Sequence, residues 1–187
     1  MYMKKFKAII AGLVLSISGF VNAGVMTYNG PTGTSVDTNP SSLFEIVITD
    51  DYLIQDLNVQ IELSDSGTLF WTDLDLSLSN GFTTVIMALS QNNDSSGIFD
   101  VIFDDEALTS LPTTSNAVGS FQSFQNLSAF DGQSTAGTWT LSILDDYIPD
   151  ENNELVSYSI ITAVPEPSSL AIFALGVMGL AARRFKK

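Results

Sequence analysis

Histidine and cysteine are absent from this 187-residue chain, and lysine and arginine occur only near its two ends. The seven bases are Lys4, Lys5, Lys7, Arg183, Arg184, Lys186 and Lys187. Residues 24–163 carry no basic side chain, yet they hold 20 of the 21 acids, all but Glu166; the formal net charge is −14. Each absence excludes a chemistry. Without histidine there is no Ser-His-Asp or Cys-His catalysis. Without histidine and cysteine, zinc, haem and iron–sulfur centres lose their usual ligands. Without lysine or arginine in the body, nothing neutralises phosphates, so nucleic acid is not an expected partner. The body also cannot form one Lys/Arg–carboxylate ion pair.

What is present begins with two addressed ends. Residues 1–7 carry three lysines, residues 8–20 form a 13-residue apolar run, and Val21-Asn22-Ala23 places small or short side chains before Gly24. A basic segment, a short apolar core and a small-residue exit make up a secretory signal peptide. The run is shorter than the ~20 residues an ordinary span needs. Signal peptidase is therefore an expected partner, with the mature chain starting at Gly24. At the other end, Val164-Pro165-Glu166-Pro167-Ser168-Ser169 precedes an apolar stretch, 170–182, and then Arg183-Arg184-Phe185-Lys186-Lys187. As a helix, that stretch reaches only ~20 Å against a hydrocarbon core of ~30 Å. The positive-inside rule keeps its basic end cytoplasmic. Pro165 and Pro167 hold Glu166 in an extended, accessible strip.

This three-part tail resembles the PEP-CTERM sorting signal of Gram-negative bacteria over residues 164–187. The resemblance implies that Pro165, Glu166, Pro167, Arg183 and Arg184 form the sorting motif. It implies an exosortase-type membrane enzyme that removes the helix and passes the protein outward. It also implies a cell-surface or extracellular-matrix destination, through a membrane-tethered intermediate, in company with exopolysaccharide.

The body reads as all-β. In residues 54–63, Leu57, Val59, Ile61 and Leu63 alternate with Asp56, Asn58, Gln60 and Glu62; Leu74, Leu76 and Leu78 alternate with Asp73, Asp75 and Ser77. Further β-rich runs are 43–48, 83–89, 97–103, 138–144 and 155–162, with 83–89 expected to be buried on both faces. Asn80-Gly81 signals a tight turn, and 91–96 and 109–123 read as polar loops. Period-2 alternation in short runs broken by Gly, Asn and Asp predicts a β-sandwich. The chain thus divides into signal peptide 1–23, polar leader 24–41, β-sandwich 42–163 and sorting tail 164–187.

Five stretches of the body resemble the P domain (P/Homo B domain) that accompanies subtilisin-like proprotein convertases and many secreted bacterial proteases. They are Ile54-Gln55-Asp56-Leu57-Asn58-Val59, Thr72-Asp73-Leu74-Asp75-Leu76-Ser77-Leu78, Phe103-Asp104-Asp105-Glu106-Ala107, Leu127-Ser128-Ala129-Phe130-Asp131-Gly132 with Gly137-Thr138-Trp139-Thr140-Leu141, and Asp145 through Leu155 to Tyr158. The resemblance implies a jelly-roll β-sandwich. It departs at Ser64-Asp65-Ser66-Gly67 and Ser79-Asn80-Gly81, at Glu154, where the family has glycine, and at Tyr158, where it has Trp. The resemblance covers this accessory module and none of the protease it usually accompanies.

Carboxylates are the candidate site residues. Crowded acids repel, and Ca²⁺ relieves them by taking 6–8 oxygen ligands. Calcium is known in some P domains, and convergence of the second and third stretches would make Asp73, Asp104 and Asp105 its ligands, with Asp145 a fourth. The competing reading is solvated turn residues, since Asp is common in turns for its own backbone bonds. Paired carboxylates also suit glycosidases, but no pair stands out. Trp139 reads as core, while Trp71 is open to a sugar-stacking role. The expected function is a non-enzymatic exported protein associated with extracellular polysaccharide. The alternatives are a carbohydrate- or protein-binding module, or a helper acting in trans with a secreted subtilisin-like protease.

Overall fold

Alternating leucines and valines with carboxylates between them can bury only one face of a strand, so these strands need a second sheet to cover them. The computed structural model describes residues 23–36, 41–65, 69–91, 96–113, 116–145 and 153–165, and the strands pack within one unit spanning Val25–Val164. The described residues form ten strands: β1 (Ala23–Asn29), β2 (Thr34–Ser35), β3 (Ser42–Ile48), β4 (Asp56–Asp65), β5 (Leu74–Ser79), β6 (Thr84–Ala88), β7 (Phe99–Phe103), β8 (Ala117–Phe121), β9 (Gly137–Asp145) and β10 (Asn153–Pro165). One sheet has the order β1-β10-β4-β7-β8, with β2 also on β10, and the other has the order β3-β9-β5-β6. The two pack as a β-sandwich, as the alternation predicts.

The core lies between the sheets. Leu57, Val59, Ile61 and Leu63 of β4 and Phe99, Val101 and Phe103 of β7 face Leu74, Leu76 and Leu78 of β5 and Trp139, Leu141 and Ile143 of β9, all buried. Trp139 is core, as read: its ring sits 4.9 Å from that of Phe130, and its Nε1 donates to the carbonyl of Thr135 at 2.8 Å. Phe130 belongs to a short 3-10 turn, Leu127–Phe130, and a second such turn, Trp71–Asp73, leads into β5. At the Asn80-Gly81 turn, Asn80 Oδ1 accepts from the backbone N–H of Phe82 and Thr83, and Gly81 takes φ 86°, a region that favours glycine.

Four features differ from the sequence expectation. Residues 24–41 are not only a polar leader, because they supply β1 and β2 along β10. Ala117–Phe121 lies inside the expected loop 109–123 yet forms β8, parallel to β7. Strand β6 is an edge strand with only Val85 and Met87 buried, so 83–89 is covered on one face. Asp73 closes the 3-10 turn and is buried, so it does not share an exposed strand face with Asp75. The signal-peptide expectation, residues 1–23, lies outside the described residues except for Ala23, which opens β1, and the tail helix, residues 170–182, lies outside them entirely. No helix among the described residues is long and apolar enough to cross a membrane.

Strand β10 carries a bulge. Leu155 pairs with Leu63 but Ser157 pairs with Glu62, so Val156 is the extra residue. One added residue flips the side-chain parity, and after it Tyr158 and Ile160 point into the core. Gly30 crosses directly over Tyr158 and donates its N–H to the Tyr158 carbonyl at 2.7 Å. A Cβ at Gly30 would overlap the Tyr158 ring. Gly30→Ala is therefore expected to destabilise the domain by about 2 kcal/mol, the range for overpacking a tight site. Thermal unfolding checks it, and an unchanged midpoint would show that the ring moves aside freely.

Candidate functional site

The structure divides the four candidate calcium ligands between the two ends of β4. The register pairs Asp65 with Asn153 at one end and Val59 with Phe103 toward the other. Ten residues of strand separate the ends by roughly 30 Å.

At the Asp65 end, Asp145 lies opposite Leu74, the residue after Asp73. Both aspartates are buried, 7% exposed for Asp73 and 2% for Asp145. Buried Asn153 donates its Nδ2 to Asp145 Oδ2 at 2.9 Å. An amide on a carboxylate is the expected partner for a buried acid in a body, residues 24–163, with no base to offer.

At the Asp56 end, Asp104 and Asp105 follow β7. Asp105 works as an acceptor for the backbone of the Leu127–Phe130 turn. Its Oδ1 takes the N–H of Leu127 at 2.9 Å and its Oδ2 the N–H of Ser128 at 2.8 Å, with the Ser123 hydroxyl at 3.4 Å. Asp104 Oδ1 accepts the N–H of Glu106 at 2.8 Å, an Asx turn. The Asp104 N–H donates to the Phe121 carbonyl and its carbonyl accepts from Ala107.

Two further acids, Asp56 and Asp131, join this end. Burial first, then the charges of Asp104 and Asp105, hold the Asp56 carboxyl above the ordinary range, against the pull of the Leu57 N–H. Burial, then Asp56 and Asp105, raise Asp131. A hydrogen bond shared with the Asp104 side chain, then the Asp56 charge, raise exposed Glu106. The five acids therefore form a mutually repelling group. Asp56 and Asp131 were not candidate residues in the sequence, where they lie 75 positions apart. The only sequence hint was that both fall in the P-domain-like stretches.

The expected convergence of Asp73 with Asp104 and Asp105 does not occur: Asp73, ahead of β5 in one sheet, lies toward the Asp65 end of the sandwich, whereas Asp104 and Asp105, after β7 in the other sheet, lie toward the Asp56 end. Among the described residues no three acidic side chains gather in a way that could hold a metal ion. The four acids thus do not fit a single calcium site: Asp105 spends both oxygens on N–H donors and Asp145 is engaged by Asn153.

Of the sorting-motif residues, Pro165 ends β10, while Glu166, Pro167, Arg183 and Arg184 lie outside the described residues. The sheet stays intact up to that point. Ala163 pairs with Asp56, its carbonyl accepts from Gln55 at 2.8 Å, and Val164 is buried.

No curated protein matches this chain. Among solved structures, it is similar to part of a complex of the Aeromonas sobria serine protease with the chaperone ORF2, at 18% identity and TM-score 0.48, covering 83% of this chain and 29% of that one. It is similar to PfGH50B at 11% identity and TM-score 0.37, covering 80% and 24%, and to an exo-beta-agarase at 13% and 0.32, covering 78% and 22%. This chain thus spans less than a third of each. Residues 163–187 match the PEP-CTERM protein-sorting motif, which implies export and sorting toward the cell surface by an exosortase-type membrane enzyme.

Proposed function

We propose that this chain is a non-enzymatic β-sandwich module, delivered to the cell surface or extracellular matrix after signal-peptide removal and tail processing, where it associates with exopolysaccharide. The observation that carries this reading is the placement of the sorting motif. The match begins at residue 163, inside the last core strand, so Pro165-Glu166-Pro167 follows the folded body without a spacer. The cargo is the sandwich itself. Its lack of histidine, cysteine and bases between residues 24 and 163 supports a binding or structural role. The five P-domain-like stretches fall on β4, β5, the end of β7, β9 with the turn before it, and β10, which supports an accessory module.

The test is fractionation in a bacterium that carries an exosortase. The native chain is expected at the surface or in the medium, shortened at both ends by mass. A variant with Pro165→Ala, Glu166→Ala and Pro167→Ala is expected to stay in the membrane fraction with its tail attached. Equal distribution and equal mass of the two would sink the reading.

A further inference from the structure

A cavity of about 540 Å³ opens beside the edge strand β6, walled by Trp71 and Thr72 of the turn before β5, the end of β6 and the segments around Leu111 and Gln122–Asn126. The last segment is tied to β6: the N–H of Phe124 and Gln125 donate to the carbonyls of Met87 and Ile86. This volume is in the range of small-molecule sites, roughly 300–1,000 Å³.

Two residues of the wall each carry a buried polar atom without a hydrogen-bond partner: the indole Nε1 of Trp71 and the hydroxyl of Ser90. Trp71 is 3% exposed and its ring packs 5.7 Å from that of Phe99. Ser90 is held by its own N–H, which donates to Asp75 Oδ1 at 2.6 Å. A buried polar group without a partner is costly, so a ligand hydroxyl that reaches one as the wall adjusts recovers a cost that an apolar ligand leaves in place. Trp139, the other tryptophan, is already satisfied by Thr135.

The lining decides the ligand class. It contains amides and hydroxyls, Gln122, Asn126 and Ser110 among them, and an aromatic face at Phe124, which is 65% exposed. It contains no acid and no base, in a body with 20 acids. Asp73, Asp75 and Asp105 flank the lining without joining it; Asp75 is engaged by Ser90 and Asp105 by the turn at Leu127. An anion would be repelled by the surrounding carboxylates and meet no counter-charge. A cation would find no carboxylate in contact. An apolar ligand would bury the amides unpaired. A neutral polyhydroxylated ligand both donates and accepts and offers a C–H face to an aromatic ring. We propose that this cavity binds a short neutral segment of a saccharide, with Trp71, Ser90, Gln122 and Phe124 as its contacts. The proposal deepens the exopolysaccharide reading above, on which it rests for the source of the ligand only.

The test is titration of the purified full chain with neutral hexasaccharides of β-1,4-glucose, β-1,3-glucose, α-1,4-glucose and β-1,4-mannose, and with hexagalacturonate as the anionic probe. Tryptophan emission and calorimetry are read together. At least one neutral oligomer is expected to bind and shift the emission, and hexagalacturonate is expected not to bind. Phe124→Ala and Gln122→Ala are expected to weaken binding tenfold or more with unchanged melting temperature, since both side chains lie at the surface. Absence of binding by every neutral oligomer, equal binding of hexagalacturonate, or unchanged affinity in both variants would overturn the proposal. Correct sorting with no saccharide bound would discard this site alone, and saccharide binding by a missorted chain would discard the sorting reading alone.

Discussion

Asp105→Ala is expected to lower the melting temperature by about 10 °C, whereas Asp104→Asn is expected to leave it unchanged or raise it. The two acids are neighbours in sequence and opposite in role. Both oxygens of Asp105 accept backbone N–H bonds from the Leu127–Phe130 turn. Hydrogen bonds to a charged group contribute about 1.5–3 kcal/mol each. Removing the acceptor leaves the Leu127 N–H without it in a part-buried position and frees the turn that seats Phe130 against Trp139. Relief of repulsion with Asp56 and Asp131 works the other way. That repulsion acts partly through solvent and is screened, so it offsets only part of the loss. A net of about 3 kcal/mol corresponds to roughly 10 °C for a domain of this size. Asp104 accepts the N–H of Glu106 and shares a hydrogen bond with the Glu106 carboxyl; an asparagine can still accept the first and donate to the second while removing one charge from the group. Thermal unfolding of both variants decides it. A melting temperature that rises in Asp105→Ala would mean that repulsion dominates and that the acceptor role contributes little.

That contrast shows what the sequence disclosed and what it could not. The alternation Leu57, Val59, Ile61, Leu63 against Asp56, Asn58, Gln60, Glu62 is a local pattern, and β4 follows from it. Asp104 and Asp105 are legible as adjacent acids, but nothing local says that one of them caps a turn more than 20 residues on. Asp56 and Asp131 join them only because β4 and the Leu127–Phe130 turn meet in space. Strand β8 escaped notice because Ala117-Val118-Gly119-Ser120-Phe121 buries only Ala117 fully, and its parallel partner is reached by a crossover. The β10 bulge hid its register: Leu155 and Tyr158 cannot share a face in an unbroken strand, yet both are core. The cavity beside Trp71 is assembled from separate segments, so no single stretch could announce it.

The acids also set how stability should respond to solution conditions. In dilute buffer the melting temperature of the domain is expected to rise as the pH falls from 7.5 toward the ordinary carboxylate range. Asp56, Asp131 and Glu106 each have a carboxyl held above its ordinary value in the fold, by burial and neighbouring acids in the first two and chiefly by the Asp104 hydrogen bond in the third. The unfolded chain lets these carboxyls titrate at ordinary values. Between the two ranges the folded state binds more protons, so lowering the pH favours it; the gain is complete below the unfolded values and is lost as pH rises through the folded ones. Added sodium chloride at pH 7.5 should recover much of the same gain, because it screens repulsion that no base in the body relieves. At pH 5 the same salt should add less, since part of the charge has gone. Asp56→Asn should flatten the pH dependence, because it removes one raised group and the charge that helps raise Asp131 and Glu106. Calcium chloride and sodium chloride at equal ionic strength should give the same midpoint, because Asp73 and Asp145 lie toward one end of the sandwich and Asp104 and Asp105 toward the other. A flat profile against both pH and salt would show that the acids are too well solvated to repel one another. A calcium midpoint well above the sodium one would return some of these carboxylates to a coordinating role.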